Sequence, residues 1–332
     1  MRGKPLCQKM ADLPKVRLTR SAPFTFVGVD VFGPWSVITR RTRGGSADSK
    51  RWAVLFTCLY SRAVHIEVIE EMTSSSFINA LRRFVAVRGA VSEFRSDRGT
   101  NFVGAAAELQ MNVVNVEDHN LKTFLADKRI VWRFNPPHAS HFGGTWERMI
   151  GIARRILEAM LMDTKHGKLT HEVLTTFMAE VMAIMNSRPL VPVSTDVEAP
   201  FVLSPQILLT QKTHEVPSEF QDLDVKDMYR SQWKMVQVMA NTFWKRWKAE
   251  FLSTIQPRQK WQDSTDNLKD GDVVLLHDKE SARGDWPVGI INRVFPSESD
   301  GLVRKIEVRI IKEGKPYLFI RPATEVIPLI TV

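Results

Sequence analysis

Phe24-Thr25-Phe26-Val27-Gly28-Val29-Asp30-Val31 is apolar on both faces of an extended chain. Phe24, Phe26 and Asp30 share one face, and Val27, Val29 and Val31 share the other. A strand with two apolar faces belongs inside a sheet, covered on both sides. One residue resists that reading. A carboxylate at Asp30 is costly in such a place unless a cation or a hydrogen-bond network meets it. The stretch therefore predicts a central strand and marks a candidate site. Gly33-Pro34 is expected to end it.

Outward from this strand, secondary structure alternates. Arg40–Lys50 reads as a Gly/Ser/basic loop, and Trp52–Leu59 as a second apolar strand. Val64–Ile69 alternates, as an edge strand does. A helix is expected from an N-cap at Thr73 or Ser74 to Gly89, with Phe77, Leu81, Phe84 and Arg88 on one stripe. Val91–Ser96 is a short strand that runs into Asp97-Arg98-Gly99-Thr100. Ile130–Phe134 is another, stopped by Pro136-Pro137. The polar loop His138–Gly144 feeds a helix with Trp146, Ile150, Ala153, Leu157 and Met160 on its core stripe. A further helix is expected over about 170–186, followed by a proline-rich connector. Next, Tyr229, Trp233, Val236, Ala240, Phe243, Trp247 and Phe251 recur at helical spacing, and that stripe reads as core. Beyond Leu268 come five short strands separated by turn residues, the pattern of a small barrel.

The chain has 332 residues, 44% hydrophobic and 25% charged. That is enough for about two domains and excludes wholesale disorder or a disulfide-stapled miniprotein. No apolar run is long enough for a membrane span. Cys7 and Cys58 are too few for a disulfide framework or a Cys-rich zinc site. The net charge of +9 is uneven: +10 over 1–160, −5 over 161–225 and +4 over 226–332. Two basic blocks suit a polyanion partner, since Lys and Arg displace counterions from phosphates. Solubility alone also explains such charge.

Asp30 on a strand, Asp97 at a strand end and Glu147 at a helix start are placed where three carboxylates can converge. Oxygen-only clusters suit hard cations such as Mg²⁺ or Mn²⁺. Two such ions about 4 Å apart serve phosphoryl transfer. Each residue has a plainer explanation: Asp30 beside an arginine, Asp97-Arg98-Gly99 as a turn, Glu147 as a helix cap favoured by the dipole. Glu147 and Arg154 are seven residues apart and lie on one side of their helix, with Arg148 and Arg155 on an adjacent line. These arginines read either as phosphate contacts or as a solvated face. Arg40, Arg41, Arg43, Lys50 and Arg51 form a basic hairpin suited to a DNA backbone or simply to water.

Three motifs carry a family resemblance. Phe26 to Pro34, Ser96-Asp97-Arg98-Gly99-Thr100-Asn101-Phe102, and Asn135-Pro136-Pro137 through Gly143-Gly144-Thr145-Trp146-Glu147-Arg148 resemble the D,D,E motifs of retroelement integrases. The wording is most similar to BEL/Pao-type LTR retrotransposons. Asn186-Ser187-Arg188-Pro189-Leu190 resembles a helix end of that family. The Trp-rich helix through Leu268-Lys269-Asp270-Gly271-Asp272-Val273-Val274 resembles the domain that follows there.

The resemblance implies an RNase H-like mixed five-stranded sheet flanked by helices, then a long helix and a small SH3-like all-β barrel. The implied layout is a basic lead-in over 1–22, a catalytic domain over 23–205, a connector over 206–225 and a C-terminal domain over 226–332. In the last, the helix spans 226–256 and the barrel 268–330. Asp30, Asp97 and Glu147 become the catalytic metal ligands, holding two Mg²⁺ (or Mn²⁺) ions. Around them, read from the residues themselves and not from the family, Arg154, Arg155, Arg148, Arg41 and Arg43 are candidate nucleic-acid contacts, and His138 and Asn101 candidates to orient substrate or water there. There are 66 residues between the first two carboxylates and 49 between the last two, the second gap being longer than in retroviral integrases.

The family's His/Cys zinc domain has no counterpart set here, so no zinc site is expected, and the chain is expected to be a fragment or a domesticated derivative. The implied activity is 3′-end processing and strand transfer. Double-stranded DNA is the partner, a homo-oligomer the working form, and the nucleus the location, with no membrane contact. The rival readings are an idle nucleic-acid-binding scaffold and an RNase H-like nuclease that cuts without joining.

Overall fold

The computed structural model describes residues 18–42, 45–96, 118–134, 144–162, 169–194, 201–212, 231–255, 267–278, 281–312 and 315–330. At 39–42, 45–47, 144–148, 162, 192–194, 201, 312 and 330 only the backbone is described. Strands β1 (Phe26–Thr42), β2 (Gly45–Cys58) and β3 (Val64–Ile69) form an antiparallel meander. After helix α1 (Ser74–Arg88), strand β4 (Glu93–Ser96) runs parallel to β1. Helix α2 (His119–Asp127) leads to β5 (Val131–Phe134), parallel to β4. The sheet order is β3-β2-β1-β4-β5, so β1 is central. Three antiparallel strands extended by two parallel ones, with helices on both faces, is the RNase H-like arrangement.

Local chemistry sets the helix ends. Thr73 Oγ1 accepts the Ser76 N–H at 3.3 Å and Asp118 Oδ1 the Asn120 N–H at 2.9 Å, each filling an N-cap. Gly89 ends α1 at φ +90°, where a side chain is strained. On one sheet face, Val27, Val29, Val31, Phe56 and Phe94 pack with Phe77, Phe84 and Leu121 of α1 and α2. On the other, Phe32, Trp35, Leu55 and Ile66 pack with helices α3 (Gly144–Met162) and α4 (His171–Asn186).

Two expectations are corrected in the first hairpin. Gly33-Pro34 does not end β1, and Arg40–Lys50 is largely strand rather than loop. The ladder slips between Phe32 and Trp35, so Pro34, which has no N–H to donate, sits in a bulge. Gly33 lies at φ +117°, and a Cβ there would stand 3.1 Å from the Arg51 carbonyl. Beyond the bulge, Ile38 N–H donates to Leu169 O at 2.8 Å, tying the extended arm to the start of α4. Arg51 is buried, donating to His171 Nδ1 at 3.1 Å and to Ser49 and Lys50. It braces the fold.

The Asn186-Ser187-Arg188 stretch works as a clasp. Asn186 accepts the Val64 N–H and donates to Val64 O, both at 2.8 Å, pairing with edge strand β3 as another strand would. Arg188 is fully buried and donates to the carbonyls of Met185 and Arg62. Burial pushes its guanidinium down to about 9, still protonated at neutral pH.

The proline-rich connector holds a small hairpin, β6 (Val191–Ser194) with β7 (Phe201–Leu203), and a short helix α5 (Pro205–Thr210). Residues 213–230 lie outside the described ones. Helix α6 (Gln232–Ile255) precedes strands β8 (Val273–Leu276), β9 (Val288–Pro296), β10 (Val303–Lys312), β11 (Lys315–Pro322) and β12 (Val326–Ile330). They form an all-antiparallel sheet in the order β11-β10-β9-β8-β12, with a single 3₁₀ turn before β12. That is the strand order of an SH3-like barrel. Gly289 permits it: a Cβ there would meet Val308 Cγ1 at 2.4 Å.

From Val236 to Phe251 the expected stripe of α6 is core; Trp233, at its start, is exposed instead, and Tyr229 lies outside the described residues. Met235, Phe243, Trp247 and Phe251 join the cluster of α3 and α4, which continues to Leu275, Trp286 and Ile327 of the C-terminal sheet region. Polar ties reinforce the joint. Lys248 is buried and donates to Asp278 O at 2.8 Å and to Ser281 Oγ. Trp286 Nε1 donates to Ser187 Oγ at 3.2 Å, and Arg283 to Gln237 Oε1 at 2.7 Å. The chain's two halves thus share one apolar interior.

Candidate nucleic-acid site

Alternation along β1 puts Phe26, Gly28 and Asp30 on the sheet face that carries α3 and α4, since Val27, Val29 and Val31 fill the opposite core. Asp30 is not sealed in: its side chain is 30% exposed. Its Oδ1 accepts the Val31 N–H at 2.8 Å, and its Oδ2 lies 4.0 Å from Arg154 Nη1. Arg154, on α3, also donates Nε–H to Glu158 Oε1 at 2.9 Å. Its guanidinium therefore stands between two carboxylates, nearer to Glu158. The arginine that could meet Asp30 in place of a metal is present, but at a distance too long for a hydrogen bond.

The contact fixes how α3 lies. Glu147 is seven residues before Arg154 in the same helix, so its backbone shares that stripe about 10 Å toward the N-terminus. β4 ends at Ser96, one residue before Asp97, and runs in the direction of β1, with Gly28 opposite Arg95. Asp97, Asn101, His138 and Arg43 lie outside the described residues, as do the side chains of Glu147, Arg148 and Arg41. Of the expected site residues the structure brings Asp30 and Arg154 together. It separates Arg155 from them: Arg155 Nη2 lies 2.9 Å from Glu250 Oε2 on α6, where it links two helices.

Among the described residues no three His, Cys, Asp or Glu side chains form a metal-sized group. Asp97 and the Glu147 side chain lie outside them. What Asp30 offers fits a hard cation: carboxylate oxygens on a rigid central strand, reachable from solvent. Cys58 is committed elsewhere, its sulfur accepting the N–H groups of Phe24 at 3.1 Å and Ser61 at 3.3 Å.

The other titratable clusters are structural. His65 Nδ1 accepts from Arg88 Nε at 3.2 Å, so its Nε2 carries the proton shared with Glu67 Oε1 at 2.8 Å. Burial raises the Glu67 carboxyl, but hydrogen bonds from His65 and Arg83 outweigh it and leave the group lowered. His171 is lowered, first by burial and then by the Arg51 charge.

Sequence reasoning missed Glu93, Arg95 and Arg133. Counting back by twos from Asp97 puts Arg95 and Glu93 on the same strand face, and that signal was available.

A family model described as "Family of unknown function (DUF5641)" matches residues 231–329, the span of α6 and the C-terminal sheet. No curated protein matches the chain. Among solved structures, the simian T-cell lymphotropic virus intasome in complex with PP2A regulatory subunit B56 gamma is similar at a TM-score of 0.38 and 11% identity. That likeness covers 97% of this chain and 85% of the other. The HTLV-2 integrase catalytic core domain in complex with magnesium, in its trimeric form, is similar at 0.32 and 16%, over 50% of this chain and 87% of that one. At these scores the fold assignment rests on the strand order above, not on the likenesses.

Proposed function

We propose that this chain is a retroelement-type integrase, of the BEL/Pao kind, acting in 3′-end processing and strand transfer of DNA. One observation supports the reading most: a part-exposed carboxylate, Asp30, on the central strand of an RNase H-like sheet, facing the helix that carries Glu147. Continuing the β1–β4 register by two residues would set Asp97 opposite Asp30 on the same face. The α3 stripe would bring Glu147 in from above. These three carboxylates would hold two Mg²⁺ or Mn²⁺ ions, which supply activation of the attacking oxygen and stabilisation of the leaving one. The chain's own part is positioning and charge neutralisation. Arg154 is placed to shift from Asp30 toward a DNA phosphate once the carboxylates are otherwise neutralised. The partner is double-stranded DNA, the working form a homo-oligomer and the location the nucleus.

The test is Asp30→Asn, read in two ways. Strand joining of an oligonucleotide duplex should vanish, and calorimetric Mn²⁺ binding should weaken at least tenfold, with the fold unchanged by circular dichroism. Wild-type joining by Asp30→Asn would overturn the assignment. The 4.0 Å approach of Arg154 to Asp30 favours a second reading, an idle scaffold whose carboxylate is already met by an arginine. Absence of Mn²⁺ binding in the wild type would decide for it. Cutting without joining would point to a nuclease.

A further inference from the structure

The Asp30 face of the sheet is roofed on one half only. α3 and α4 cover the far end of β1 together with β2 and β3. Over β5 the same face is open to solvent, with Val131 half exposed and the Arg133 side chain 63% exposed, while Arg95 on β4 keeps 19% of its side chain exposed. A row crosses it, Gly28 of β1 opposite Arg95 of β4, and Arg95 opposite Arg133 of β5. Beneath the arginines lies Glu93, buried. Arg95 Nε approaches its Oε1 at 2.5 Å and Arg133 Nε its Oε2 at 2.9 Å.

One carboxylate needs one cation. Here it holds two, leaving a net positive charge on a shelf that ends at Asp30. Among the described residues each arginine spends only its Nε–H, on Glu93, and the four N–H donors of its Nη groups suit another acceptor. Two guanidiniums fixed side by side by a buried anchor suit the oxygens of a phosphodiester chain.

We propose that this shelf is a track for a DNA backbone, with Arg133 and Arg95 as positioning residues. They hold a strand about two strand spacings, roughly 10 Å, to the side of Asp30. The inference rests on the integrase reading for the identity of the polyanion.

The experiment uses the full chain in EDTA, so that no chemistry occurs, and a short labelled duplex followed by fluorescence anisotropy between about 50 and 200 mM salt. Arg133→Gln should weaken binding several-fold and reduce the slope of log K against log salt by about 0.9, the share of one phosphate contact. Arg133→Lys should keep the slope. Lys128→Gln, just after α2, should match the wild type. An ion pair with only a structural role would change the melting temperature and leave the slope alone. Should Arg133→Gln fail to fold, disulfide capture of thiol-tethered DNA by Arg133→Cys decides: capture supports the shelf and none overturns it. An unchanged slope in folded Arg133→Gln overturns the shelf and leaves the integrase reading standing. A wild type that binds no DNA overturns both.

Discussion

Asn186 offers the sharpest test of how this fold is held. Its side chain spans the Val64 N–H and C=O at 2.8 Å each, in a place sealed from water. Replacing it by alanine leaves a buried donor and a buried acceptor without partners, at about 1–3 kcal/mol apiece. About 4 kcal/mol of lost stability is expected, a large part of a typical domain's margin. Asn186→Asp is more diagnostic. One carboxylate oxygen still accepts from Val64 N–H, but the other faces the Val64 carbonyl, acceptor against acceptor, with a buried charge. Protonation repairs the pair, since the acid O–H can donate to Val64 O. The native pKa of that carboxyl must then lie above the unfolded value of about 3.9. The native state binds the extra proton, so stability rises relative to wild type as pH falls through the raised pKa. Denaturant titrations of wild type and both variants, at several values between about pH 8 and pH 4.5, measure this. A gap between Asn186→Asp and wild type that stays constant with pH would refute the pairing, as would an alanine variant within about 1 kcal/mol of wild type.

The helix of the matched family region should prove inseparable from the rest. Phe243→Ala should cost about 3–5 kcal/mol and lower a single, shared unfolding transition; two separate transitions would show that α6 is not part of the common core. Gly289→Ala should destabilise by about 1–3 kcal/mol, because the new Cβ would need Val308 and the backbone of β10 to move. His171 is lowered by burial and by Arg51, so the unfolded chain takes up its proton first as pH falls. That stability is present above the unfolded value of about 6.5 and declines below it. His171→Asn, which retains an acceptor for Arg51, should flatten the decline, and an unaltered pH profile would contradict it.

The individual strands and helices were legible from the sequence because burial and spacing are local properties, whereas the RNase H-like order was implied only by the resemblance of three motifs to retroelement integrases. Val27, Val29 and Val31 opposite Phe26 and Asp30 make a central strand on any register, and the α3 and α6 stripes can face only a core. Asp30 stood out for the same reason, as a charge in an apolar run. Register and reach were not legible. That Pro34 would sit in a bulge depended on where β2 paired, and that Arg51 would be buried depended on His171, far away in sequence. Arg154 and Arg155 are adjacent and chemically alike; helix rotation sends one to Asp30 and the other to Glu250. The Glu93–Arg95–Arg133 row exists only because β4 and β5 pair in parallel. Sequence determined which residues must be covered; the tertiary structure decided which polar groups meet, because that depends on contacts between segments that the chain brings together only on folding.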